Sequence, residues 1–124
     1  KDTDGNTPKQ RLSAIFALGR IGENGLDVLI WSIENEPNNK VRQAAIIEVG
    51  SMGSIASKAT PALRKVLESR NWHLRWAAIE SLGQIGPSAS SAVTDLEELI
   101  SETRFEQERR HCLTSLAKIN SKNA

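Results

Sequence analysis

Two histidines, one cysteine and a scatter of carboxylates are the side chains of this chain from which a reaction or a metal site could be built. His73 and His111 stand 38 positions apart with no carboxylate at ligand spacing, and neither belongs to a His-Glu-x-x-His or zinc pattern. The stretch Glu106–Cys112 holds acid, base and thiol, but not in the order of a known nucleophile constellation. Asp95, Glu97 and Glu98 crowd the opening turns of a helical stretch, where negative charge suits the helix dipole, so a solvated face accounts for them. Four arginines, Arg11, Arg42, Arg75 and Arg109, could form an anion-binding ladder. Each instead sits where its guanidinium can reach the carbonyls ending a preceding helix, or Glu34, Glu36 or Glu68, and that structural role is the better reading. The expectation is a protein that is not an enzyme and carries no metal and no cofactor.

Bulk properties narrow the class further. The chain has 124 residues, enough for about one domain. Its formal charge is only +1, which removes any global case for binding nucleic acid or an acidic membrane surface. No apolar run approaches the roughly 20 residues of a membrane span. Cys112 has no partner for an internal disulfide, so the compartment is not legible. Residues 1–7 read as a polar leader, left by a cut or by processing because the chain opens at Lys1, and residues 8–124 read as the domain.

The elements that position these side chains repeat. Arg11-LSAIFALGRI-Gly22, Arg42-QAAIIEVGSM-Gly53, Arg75-WAAIESLGQI-Gly86 and Arg109-RHCLTSLAKI-Asn120 share one pattern, their arginines spaced 31, 33 and 34 residues apart. Each has the helical period; in the third, Leu74, Ala78, Leu82 and Ile85 fall on one stripe. Gly22, Gly53, Gly86 and Asn120 stand where a left-handed helix end is wanted. Gly19, Gly50 and Gly83, with Ala117 in the same column, lie inside the helices, where glycine costs about 1 kcal/mol against alanine. A neighbouring helix passing close would offset that cost. Cys112 shares a column with Ala14, Ala45 and Ala78, which reads as a small, inert core residue.

Second helical stretches lie between these segments, with Leu29, Leu63 and Leu96 aligned, and Ile33, Leu67 and Ile100. Thr7–Pro8, with Gln10 in the reciprocal position, and Thr60–Pro61 read as caps. The expected fold is an all-α solenoid of about seven antiparallel helices: a half repeat over 8–22, then repeats over 26–53, 59–86 and 92–120.

The repeats resemble HEAT repeats, in particular the short HEAT-like repeats named after phycobilisome lyases. In that family one helix ends in an Asp-Pro-x-x-x-Val-Arg turn and the next reads Ala-Ala-x-x-Leu-Gly-x-Ile-Gly. Glu36-PNNK-Val41-Arg42-QAAIIEVGSMG and Leu74-Arg75-WAAIESLGQIG carry the likeness, which extends over about residues 8–120. The turn aspartate is replaced by Glu36, Ser69 and Thr103, which argues against an Asp–Arg ladder. The resemblance implies that the Arg-led helices line the concave side of the stack.

On that side the columns Leu12, Gln43, Trp76, Arg110 and Phe16, Ile47, Glu80, Thr114 lie opposite the apolar stripe, with Arg20, Ser51, Gln84 and Lys118 beside them. Water-facing positions should be polar, yet Leu12, Phe16, Ile47 and Trp76 are not, and a contiguous apolar patch marks an interface. The reading is a groove for a protein or peptide, with an apolar centre and basic flanks from Arg20, Arg110 and Lys118. Serine at Ile47 and Trp76 should weaken binding and leave the melting point nearly unchanged. Trp31 reads as convex surface or filler, and Trp72 as a turn residue covering the end of the stack.

The competing explanation is that Leu12, Ile15 and Phe16 form an uncovered stack end, met by further repeats or by a second copy in a homo-oligomer. Two other functions remain. The resemblance allows an accessory subunit of a phycobilin lyase. The cluster Arg104, Arg109, Arg110, His111, Lys118 and Lys122 allows a nucleic-acid-binding module, although Glu48, Glu80 and Glu108 dilute it.

Overall fold

A computed structural model describes residues 7–121. Thr7 opens the first helix, α1 (Pro8–Ile21): its Oγ1 accepts the Gln10 N–H at 3.1 Å, and Gln10 Oε1 accepts the Thr7 N–H at 2.8 Å. This is the reciprocal cap that the sequence announces. The other α-helices are α2 (Leu26–Asn35), α3 (Asn39–Ser51), α4 (Thr60–Val66), α5 (Trp72–Ile85), α6 (Val93–Glu102) and α7 (Glu106–Ile119). There is no strand among the described residues. Asn38 and Asn71 cap α3 and α5, each side-chain oxygen accepting two backbone N–H groups.

Between the repeats the chain does not loop. Gly22–Gly25, Gly53–Ala59 and Gly86–Ala92 are 3-10 segments that run into α2, α4 and α6. Counted as uninterrupted helical runs, the described residues form five, over 8–35, 39–51, 53–66, 72–102 and 106–119, rather than about seven separate helices. The Arg-led helices end at Gly22, Gly53 and Gly86, where φ is 78°, 64° and 81°. At Gly22 and Gly86 the ψ values of −134° and −146° lie near a region essentially restricted to glycine, so backbone geometry fixes the residue type. Asn120 is not left-handed. Its φ is −84° and its N–H returns to the Leu116 carbonyl, continuing the helical turn. Thr60 is also not a cap. The 3-10 segment delivers the chain to Thr60 already in helical geometry, so its hydroxyl cannot fold back, and it lies buried without a hydrogen-bond partner.

The helices form two layers. α1, α3, α5 and α7 pack consecutively, while α2, α4 and α6 each lean on a helix of the first layer and touch one another much less. The interior glycines explain the tight layer. A Cβ at Gly50 would stand 2.5 Å from Ser81 Oγ, and one at Gly83 would stand 2.9 Å from Ser115 Cα. The serines use the approach to donate across it, Ser81 to the Ile46 carbonyl and Ser115 to the Ile79 carbonyl, each at 2.7 Å. The Arg-led helices are thus the more closely packed layer, as expected of the inner side of a curved stack. Val49, Leu82, Leu29, Leu63 and Leu96 are fully buried between the layers. Ile15 is buried with them and is a core residue, not part of an uncovered end.

Candidate functional site

The four arginines close the turns. Arg42 donates to the Ile33 carbonyl at 3.0 Å, Arg75 to Ser69 at 3.0 Å and Arg109 to Thr103 at 2.9 Å, all at the ends of α2, α4 and α6. Arg11 instead makes a two-pronged bond to Glu36, both distances 2.9 Å. Glu36, Ser69 and Thr103 do one job despite their different chemistry, each side-chain oxygen accepting the N–H two residues on. Arg42 has no carboxylate partner among the described residues, so no continuous acid–arginine ladder runs along the stack there.

On the inner layer, Gln43 and Ile47 of α3 and Trp76 and Glu80 of α5 line one cavity of about 190 Å³. Ile47 is about half exposed. Trp72, His73, Ala77 and His111 complete the lining. Leu12, Phe16, Arg20 and Arg110 are not part of it. Leu12 is half-buried against the core, and Phe16 and Arg20 are exposed along α1. Arg110 is held by Glu106 at 3.5 Å. The expected basic flank is thus absent from the cavity: no lysine or arginine lines it, and its carboxylate is Glu80.

Trp72 is the first residue of α5, not a turn residue. Its ring lies 4.8 Å from that of Trp76, tilted by 59°, and stacks on His73 at 3.7 Å. His111 lies 4.9 Å from Trp76 on the opposite neighbour, α7. The i, i+4 spacing of Trp72 and Trp76 was the signal for this cluster. Reading the histidines only as metal ligands misses it. Trp31 is exposed on α2, away from the cavity.

Behind the cavity sits a residue that the columns flag but that pattern reading passes over. Glu108 occupies the column of Val41 and Leu74 and is 1% exposed. Its carboxylate accepts from Arg75 Nε at 2.5 Å, Thr103 Oγ1 at 2.6 Å and Trp76 Nε1 at 3.0 Å. Burial alone would raise its pKa. The bonds from Arg75, Thr103 and Trp76, with the charge on Arg75, overcome that and hold the group below the ordinary glutamate value. Glu108 also fixes the orientation of the Trp76 ring. Cys112, one turn on, is fully buried, and burial together with the Glu108 charge pushes its thiol up to about 12, so it is no nucleophile.

A second cleft, of about 560 Å³, opens at the turn edge between α4, α6 and the start of α7. Its lining mixes both charges, including the Arg64–Asp95 pair at 2.5 Å, so Asp95 is paired rather than simply solvated.

No helix among the described residues is long and apolar enough to cross a membrane. No curated protein matches the chain. The family model of HEAT repeats matches residues 26–117, and with the stacked Arg-led helices this shows that the chain belongs to the HEAT repeat family.

Proposed function

We propose that the chain is a non-enzymatic scaffold that holds a segment of a partner protein against its inner layer. HEAT repeats commonly mediate protein–protein interaction. The observation that carries the reading is the convergence of Ile47, Trp72 and Trp76 from two adjacent helices on one open cavity, with large aromatic anchors of the kind that dominate interface energetics. We also propose that the repeats are of the short phycobilisome-lyase type, which they resemble in the segments Glu36-PNNK-Val41-Arg42-QAAIIEVGSMG and Leu74-Arg75-WAAIESLGQIG. That assignment concerns repeat geometry and brings no chromophore chemistry. The basic cluster near α7 gives little to a nucleic-acid role, because Glu106 engages both Arg109 and Arg110.

Serine at Trp76 would strip a donor from buried Glu108, so it confounds binding with stability. The cleaner pair is Ile47→Ser with Trp72→Ser. Peptides selected on the chain by display should bind this double variant at least tenfold more weakly and bind Trp31→Ser as they bind the parent. Equal loss on Trp31→Ser, or none on the double variant, rejects the groove.

A further inference from the structure

The cavity, whose lining includes Gln43, His73, Glu80 and His111 beside its apolar residues, has a definite electrostatic character. Trp76 has its indole N–H taken up by Glu108, so it presents a ring face and no donor to a ligand. Trp72 presents a second ring at 4.8 Å and 59°. Such faces carry negative potential and attract cations. Glu80 is the one carboxylate in the lining; it is exposed and has no ion pair among the described residues. Aromatic faces beside an unpaired carboxylate, with no lysine or arginine in the lining and with the rings of His73 and His111 taken up against Trp72 and Trp76, complement a positive charge and repel a negative one. At about 190 Å³ the cavity is below the ~300 Å³ at which small-molecule pockets begin, which suits one side chain of a longer ligand.

Resting on the groove reading above, we infer that this cavity takes an arginine or lysine side chain from a basic segment of the partner. The aliphatic stem lies along Ile47 and Trp76, and the cationic head sits between the indole faces and Glu80. The partner is therefore a protein with an exposed basic stretch, not an acidic one.

The three tryptophans make the test direct, because Trp31 lies outside the cavity and serves as an internal reference. The full chain, labelled with nitrogen-15, is titrated with blocked tripeptides Gly-X-Gly, where X is arginine, lysine, the neutral arginine isostere citrulline, norleucine or glutamate. Arginine and lysine peptides should shift the indole signals of Trp72 and Trp76, leave that of Trp31 in place, and bind at least fivefold tighter than citrulline and norleucine. Glu80→Gln should reduce that advantage below twofold while keeping the folded spectrum. Citrulline binding as well as arginine, glutamate binding better, or Glu80→Gln keeping the full advantage would overturn the inference. Neutral peptides that shift Trp72 and Trp76 equally well would leave the groove standing and remove only its preference for cations. Silence from every peptide, together with failure of the display experiment, would remove both.

Discussion

Glu108 shows how one side chain can hold two roles. In the equivalent column Val41 and Leu74 fill the core with hydrocarbon, and here a carboxylate does so only because Arg75, Thr103 and Trp76 surround it. Breaking a buried pair from one side leaves an uncompensated charge. Glu108→Ala should therefore lower stability by about 3–5 kcal/mol in urea denaturation. The pH dependence has a definite sign. The folded group titrates below the ordinary value of 4.5, so its stabilisation is complete above that pH and is lost as the pH falls through the lower folded value. The parent should lose melting temperature in that acid range, and Glu108→Gln should lack this component of the loss. A charged residue in an apolar column is visible in the sequence. Its partners are not, because they come from the opening turns of α5 and from the turn before α7.

At the scale of the element, the glycine columns separate close approach from mere helix weakness. In Gly83→Ala the new methyl meets the Ser115 backbone, which cannot move without shifting α7. The variant should lose about 1–3 kcal/mol as an overpacked site. In Gly19→Ala the methyl meets only the far end of the Glu48 side chain, which can swing away. There the gain in helix propensity, up to about 1 kcal/mol, should prevail and leave the protein as stable as the parent or more so. Melting curves of the two variants decide whether close approach is the reason for these glycines. The Arg-led helices were legible because burial imposes the helical period on them. The 3-10 segments were not: GENG, GSIASKA and GPSASSA are short, small-residue runs with no apolar period. Their presence is also what misplaced the cap at Thr60. Of the columns read from the sequence, Gln43, Ile47, Trp76 and Glu80 line the cavity. The wheel could not show that Leu12, Phe16, Arg20 and Arg110 lie beyond the cavity, because a column says which way a residue faces and not how far along the stack a pocket extends.

At the scale of the molecule, the columns buried inside the stack surface at both ends. Ile21 is 58% exposed where its equivalents Ile85 and Ile119 are 1% and 2%, and Leu113 is 53% exposed where Ile46 and Ile79 are 0%. Stability in such a stack is a sum over nearest neighbours. Inserting a second copy of residues 53–85 after Ile85 adds one more glycine–serine interface and no new end. The longer chain should melt higher and show a steeper urea dependence, as the extra buried surface requires. An unchanged melting point would mean that the rungs are not interchangeable. The placing of the 3-10 segments has a mechanical consequence. Those junctions lie along one rim, while the non-helical links 36–38, 67–71 and 103–105 lie along the other, clasped by arginine side chains. The two rims of the fan are therefore unequal in stiffness. A load that spreads the rungs would meet backbone hydrogen bonds of the 3-10 turns on one side and arginine side-chain clasps on the other, so the arginine rim should be the first to yield.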